Sequence, residues 1–423
     1  MRIALVSAQA SPLALGGPGT SGRHTHVAAL SGALGRLGHE VVVYVRRESS
    51  GGPDAVELAP GVTVEHVPAG PIRPIAPDAQ LPLMGDFGRA LAARWAGGDA
   101  PDVLHAHYWL SGLAALTATA EDRRPVIVTY HGLATAERRH LPADGNGRAG
   151  PRAGLERTLG SLADRVVAQS EDEVAELGKM GVRRSGTVIV PSGVDVDRFT
   201  PGGPSADHRR SGLRRILSVG SLVARKGFAD LIEALRRVPG AELVLIGGPD
   251  PAHPERGVEL ERDPEARRLL QLADRHGVAD RLRIIGAVTQ DELPAWYRSA
   301  DVLACAPAYE PFGLTPLEAM ACGVPVVAYE VGGIAESVID NVTGVLVPPR
   351  DTTALAAALR GLLGDEVRRM SFASAAIDRV RSRYTWERTA SDLERVYRSV
   401  TGADAEPPVL EESDEDDLSE VSS

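Results

Sequence analysis

Residues 306–328 read "APAYEPFGLTPLEAMACGVPVVA", and the apolar run "DVLACAP" leads into them. A strand is expected to end near Cys305, a loop to carry Glu310, and "TPLEAMACG" to open a helix with Thr315 as N-cap and Pro316 in its first position. "PVVAYE" then reads as the next strand. Strand, loop, helix and strand in this order make one unit of a parallel α/β sheet, and the loop falls at the carboxyl end of its strand, where such sheets bind ligands. The free N–H groups of Gly313, Leu314 and Thr315 would face out of the helix start with the positive end of its dipole behind them, which suits a diphosphate. Glu318, one turn further, would repel phosphate and is better placed to accept hydrogen bonds from a ribose, while Glu310 could accept from sugar hydroxyls. Taken singly, either acid reads as a solvated charge; their combination with the helix start carries the argument.

The same alternation extends in both directions. After a stretch rich in Gly, Pro, Ser and charge, "VPSGVDVDRFTPGGPSADHRRSG", the runs "RRILSVGS", "AELVLIGG", "RLRIIGAV", "DVLACAP" and "PVVAYE" alternate with the helical stretches "ADLIEALRRV", "PEARRLLQLADRHG", "DELPAWYRSA" and "PLEAMACG", and a helix near 352–364 closes the series. Before the break, "RIALVSA", "EVVVYV", "VTVEHVP", "PDVLHAH", "PVIVTYH" and "RVVAQS" alternate with "HVAALSGALGRLG" and "SGLAALTATA". The chain of 423 residues is too long for one core. Two consecutive Rossmann-like, doubly wound α/β domains are expected, over residues 1–200 and 201–383, with the ligand site in the cleft between them.

The net charge of −11 divides unevenly, because residues 402–423 hold nine acids and no base and leave the body near −2. That tail is expected to be disordered, and a nearly neutral body argues against a general nucleic-acid surface. No apolar run approaches the roughly 18 residues of a membrane span, and the N-terminus enters a strand with no secretory signal, so a cytoplasmic location is expected. Cys305 and Cys322 offer neither a disulfide framework nor a zinc quartet. Arginine outnumbers lysine 44 to two, a bias like that of high-GC actinobacterial genomes, which draws attention to Lys179 and Lys226.

"GPGTSG", residues 17–22, fits the spacing G-x-G-x-x-G with Gly17, Gly19 and Gly22. A dinucleotide site needs its first glycine at the strand end, yet the first strand is expected over residues 3–7, and about ten residues intervene. The following strand also ends in Arg46 and Arg47 where an acid for a ribose hydroxyl belongs. "HAH" at 105–107 and "HTH" at 24–26 are spaced like metal ligands, but pairs of histidines without partner acids or cysteines rarely make a site, and no metal is expected.

In combination, Glu310 and Glu318 resemble the E-x7-E signature of the retaining GT-B glycosyltransferases of family four. "SVGSLVARKGFADLIEAL", "IVPSGVDVDRF" and "VGGIAESVIDNVTGVLVPPRD" have counterparts in that family, so the resemblance spans nearly the whole folded chain. It is greatest to the branch containing sucrose-synthase-like and mycothiol-pathway enzymes. The resemblance implies that Lys226 holds the donor diphosphate, that Glu310 touches the transferred sugar, that Glu318 binds the ribose, and that His131 in "VTYHGL" stands beside the reacting sugar. It also implies that the loop at "LGGPGTSG", with Gly17, approaches the donor phosphates, and that Arg23, His24 and Tyr108 face the acceptor. "YTWERTASDLERVYRSV" resembles the terminal helix, here 384–401, that crosses back to the first domain.

The implied activity is transfer of a hexosyl unit from a nucleotide diphosphate sugar to a hydroxyl of a small soluble acceptor with anomeric retention. UDP-glucose or UDP-N-acetylglucosamine is the expected donor, with GDP-mannose behind them. No cofactor is needed beyond the sugar nucleotide. Donor and acceptor are the expected partners, without nucleic acid or integral membrane contact, and a homo-oligomer or a paralogous partner stays open. One departure matters: relatives carry an arginine five residues before the lysine, and here Ser221 stands there. The loss of a preorganised cation motivates an alternative, a catalytically weak or silent nucleotide-sugar-binding partner of an active paralogue. A sugar-nucleotide epimerase of the same architecture is a third reading.

Overall fold

The computed structural model describes residues 1–14, 22–76, 79–140, 151–206, 212–249 and 260–402. Gly17 and the acidic tail beyond Gly402 lie outside them. The first half builds strands β1 (Arg2–Val6), β2 (Glu40–Arg46), β3 (Ala55–Ala59), β4 (Val62–Val67), β5 (Val103–His107), β6 (Val126–Thr129), β7 (Arg165–Ala168) and β8 (Thr187–Ile189). The second builds β9 (Arg214–Val219), β10 (Ala241–Ile246), β11 (Leu282–Gly286), β12 (Val302–Cys305), β13 (Val326–Tyr329) and β14 (Gly344–Val347).

Two sheets result, in the orders β3-β4-β2-β1-β5-β6-β7-β8 and β11-β10-β9-β12-β13-β14. All neighbours are parallel except β3 and β4. A parallel strand is covered on both faces by its crossover helices, so its sequence reads as an unbroken apolar run. That is why β10, with all six residues buried, and β13, with all four, stand out in the sequence. Each sheet reverses its winding beside its first strand, between β1 and β5 and between β9 and β12, and the crevices that open there are the natural ligand sites.

Helix Trp386–Thr401 belongs to the second half in sequence and to the first in space. Trp386, Ala390, Leu393, Val396 and Tyr397 are buried in one core with Ile3, Leu5, Leu30 and Val43. Thr385 caps this helix by accepting a hydrogen bond from the Arg388 N–H at 3.2 Å, and the Val194 N–H donates to the Tyr384 carbonyl at 2.8 Å where the two crossing segments meet. Among the described residues no helix is long and apolar enough to cross a membrane.

Helix Leu314–Ala321 begins earlier than the sequence suggests. Its N-cap is Gly313, in the left-handed region at φ 68°, so Thr315 is its second residue and Pro316 its third. The cause is crowding at the cap: a Cβ on Gly313 would meet Ser337 Oγ at 3.2 Å and the Gly333 carbonyl at 3.4 Å, which favours glycine and its left-handed turn over a side-chain cap. The N–H groups of Leu314 and Thr315 keep their place in the first turn, and Pro316 contributes none.

Candidate active site

The crevice between β9 and β12 collects three loops. The first runs from β9 through a short turn over Ala224–Lys226, the second from β12 through Glu310 to Gly313, and the third from β13 through Gly332 and Gly333. They touch backbone to backbone. The Ala308 N–H donates to the Arg225 carbonyl at 2.8 Å, and the Gly333 N–H donates to the Glu310 carbonyl at 2.9 Å. Glycine is required at Gly227, where φ is +70° and a Cβ would lie 1.7 Å from the Ala306 carbonyl oxygen. This close approach sets Lys226 beside Glu310, and Nζ meets Oε2 at 2.5 Å with both side chains largely sheltered, 17% and 15% exposed.

Glu318 follows on the helix that starts at Gly313 and is buried. The Tyr297 hydroxyl donates to its Oε2 at 2.6 Å. Burial pushes the carboxyl up to about 7, against the Tyr297 hydrogen bond and the charges of Arg198 and Lys226, which favour the ionised form. Ser221 is exposed on the β9 loop, five residues before Lys226.

The first sheet faces this crevice with the ends of β5 and β6. Tyr108 and His131 follow those strands with φ of 81° and 60°, conformations uncommon for residues with a side chain. His107 Nδ1 and His131 Nε2 lie 2.9 Å apart, and the His26 ring stands edge-on to His131 with centroids 4.8 Å apart. Phe312, from the Glu310 loop, reaches the same cluster, with its ring 5.3 Å from that of His131. The end of the glycine-rich loop also meets the helix start: a Cβ on Gly22 would lie 3.3 Å from Leu314 Cδ1. Burial lowers His26 to about 3 and holds His107 and His131 well below the usual imidazole range, so all three are neutral at physiological pH.

Beside His131 two guanidinium groups share one ring. The Arg23 guanidinium carbon lies 4.2 Å from the Tyr108 centroid and that of Arg152 lies 5.3 Å from it. Arg152 is anchored by Glu156 at 2.7 Å, Glu137 at 2.8 Å and the Gly132 carbonyl at 3.0 Å. Arg23 donates to Gln9 Oε1 at 3.4 Å and has no carboxylate in salt-bridge range among the described residues. Burial depresses its pKa, and the Arg152 charge adds to that effect. His24 is half-buried on helix Gly22–Arg36.

The structure thus brings Lys226, Glu310, Gly313, Leu314, Thr315 and Glu318 together in one crevice, and places His131, Tyr108 and Arg23 opposite them. No sequence pattern assigns a role to Arg152 or Phe312, and His26 stands out only as one half of the "HTH" pair. Arg152 is one of 44 arginines, and the one local pattern that marks it is its i,i+4 spacing to Glu156.

Two doubly wound domains facing each other across their switch points, with a cation, a carboxylate and a helix start in the second, define a GT-B glycosyltransferase. The chain belongs to the family-four, group 1 glycosyltransferases. The model described as "Glycosyltransferase Family 4" matches residues 20–198, and that described as "Glycosyl transferases group 1" matches residues 206–379. A D-inositol 3-phosphate glycosyltransferase of Xylanimonas cellulosilytica is 36% identical over 95% of this chain and 97% of its own. The enzyme of the same name from Geodermatophilus obscurus is 37% identical over 94% and 89%. Among solved structures, sucrose-phosphate synthase from Thermosynechococcus elongatus superposes with a TM-score of 0.85 at 30% identity, covering 95% of this chain and all of that one.

Proposed function

We propose that the chain transfers a hexosyl unit, N-acetylglucosamine or glucose, from its UDP-sugar to a hydroxyl of an inositol phosphate or similar phosphorylated polyol, with anomeric retention. The observation that carries the acceptor class is the pair of guanidinium groups on Tyr108, one of them a sheltered cation with no carboxylate partner among the described residues. A half-buried cation of this kind gains from a phosphate, which guanidinium binds through two parallel hydrogen bonds. The names of the similar enzymes point to the same class of acceptor.

On the donor side, Lys226 and the N–H groups of Leu314 and Thr315 take the diphosphate and stabilise the charge that grows on it as the glycosidic bond breaks. Glu310, which holds Lys226 in the free protein, turns an oxygen to the sugar hydroxyls and fixes the ring's orientation. Glu318 receives a ribose hydroxyl on the oxygen that Tyr297 leaves free. His131 shapes the sugar pocket as a neutral imidazole. The acceptor hydroxyl attacks from the face the diphosphate leaves, and its proton passes to the departing phosphate oxygen, so no protein nucleophile takes part.

Two results test this reading. Arg23→Gln removes a charge-assisted contact of about 1.5–3 kcal/mol, so KM for inositol phosphate is expected to rise about 10- to 100-fold with little change in kcat. The KM for unphosphorylated inositol stays as it was, and equal effects on both acceptors would remove Arg23 from the phosphate site.

The second concerns Glu318. A ribose hydroxyl donates more strongly to the carboxylate than to the neutral acid, so donor binding draws a proton off a group titrating near 7. UDP-sugar affinity is therefore expected to fall about tenfold from about pH 8 to pH 6, and the dependence to vanish in Glu318→Gln. Titration calorimetry across that range reads both.

A further inference from the structure

His26, His107 and His131 come from three separate segments, the first helix and the ends of β5 and β6, yet one ring nitrogen of each lies within 4.8 Å of the others. All three are buried, 4%, 3% and 7% exposed. Neither histidine pair in the sequence makes this group, which takes one member from each pair and a third from a distant strand.

The nitrogens sort into two sets. His26 Nδ1 lies 2.9 Å from Ser192 Oγ, which also accepts from Gln169 Nε2 at 2.5 Å. Gln169 takes one lone pair of Ser192 and leaves the other able to accept the Nδ1–H of His26, the tautomer in which His26 Nε2 presents a lone pair to the cluster. His107 Nδ1 and His131 Nε2 share a single proton across 2.9 Å. Their outer nitrogens, His107 Nε2 and His131 Nδ1, have no partner among the described residues. Three neutral imidazoles therefore converge with no carboxylate bonded to any of them among the described residues. Imidazole is the ligand that zinc and its neighbours in the first transition row prefer.

We propose that His26, His107 and His131 form a binding site for one zinc-like divalent ion, which takes the place of the proton shared by His107 and His131 and draws in His26 as the third ligand. Metal–nitrogen bonds of about 2.0–2.1 Å in tetrahedral array put the nitrogens about 3.3 Å apart, so the 2.9 Å pair opens by a few tenths of an ångström and the His26 ring closes in. Protons then rest on every outer nitrogen, and Ser192 with Gln169 supplies the outer support that orients His26. Three protein ligands leave a fourth position for water or a ligand hydroxyl. Because His131 is also the imidazole placed against the sugar, a bound ion is inhibitory; that consequence rests on the proposed function, whereas the site itself does not.

The test uses untagged, metal-stripped, full-length protein titrated with cobalt(II), followed by the visible absorption of tetrahedral cobalt, and then with competing zinc(II). One equivalent is expected to bind with the intense tetrahedral band and to be displaced by zinc, and His26→Gln and His107→Gln are each expected to weaken binding at least tenfold. Far-UV circular dichroism and melting establish that the variants fold; should His107→Gln not fold, His26→Gln decides alone. Absence of a saturable tetrahedral band, or binding that survives substitution in a folded variant, overturns the proposal.

Discussion

Lys226→Ala is expected to lower the rate of sugar transfer by about 10²–10³-fold, the loss typical of a preorganised group that stabilises transition-state charge. The effect is large because Ser221, five residues before Lys226, supplies no second cation to share the work. It is also large because the site is sheltered: Lys226 and Glu310 are 17% and 15% exposed, so water screens the lysine charge poorly. Removing the lysine leaves Glu310 facing a diphosphate with its own charge uncompensated. Lys226→Arg is expected to recover only part of the rate, since a planar fork does not reproduce a compact ammonium charge beside the sheltered Glu310 carboxylate. Steady-state kinetics with the UDP-sugar, alongside a melting curve matching the parent's, gives the result. A variant within a few-fold of the parent rate would take Lys226 out of the leaving-group site.

The second large effect is on stability. Arg215 and Glu242 lie on adjacent strands β9 and β10, fully buried, with Nε 2.8 Å from Oε1. Ser299 Oγ accepts from Arg215 Nη1 at 2.8 Å, while Arg215 Nη2 and Glu242 Oε2 have no partner among the described residues. Glu242→Ala strands a guanidinium charge in the core and is expected to destabilise the protein by about 3–5 kcal/mol. Replacing both residues with apolar ones of similar volume, as in Arg215→Met with Glu242→Leu, is expected to cost far less, because the pair's own attraction roughly offsets the desolvation of its charges. Urea unfolding measures both. Equal losses in the single and double variants would mean that packing, not charge, sets the cost.

The second domain was legible in the sequence because its strands are buried on both faces and leave continuous apolar runs such as "AELVLIGG". Glu310 and Glu318 were legible because their spacing around a strand end and a helix start is local, whereas Lys226, 84 residues before Glu310, was placed by the family resemblance and by the rarity of lysine in the chain. Thr315 as helix cap was not correct, since the choice of Gly313 depends on Gly333 and Ser337 crowding it from a later loop. The edge strand β3, "AVELA", was missed because it is short, its five residues are exposed or half-exposed, and its apolar residues follow neither an unbroken run nor an alternation. The burial of Glu318 depends on Tyr297, and the histidine cluster on three segments up to 105 positions apart, so neither leaves a local trace. Non-local packing decides these features, and a single sequence carries it only weakly.

The most direct test of the central claim is nucleotide release from UDP-, GDP- and ADP-sugars offered in turn with inositol phosphate, with donor binding followed in parallel. The account predicts UDP release that requires the phosphorylated acceptor and is lost in Lys226→Ala. Tight donor binding without release from any sugar nucleotide, and turnover that emerges only in Ser221→Arg, would contradict it and identify the chain as a silent nucleotide-sugar binder.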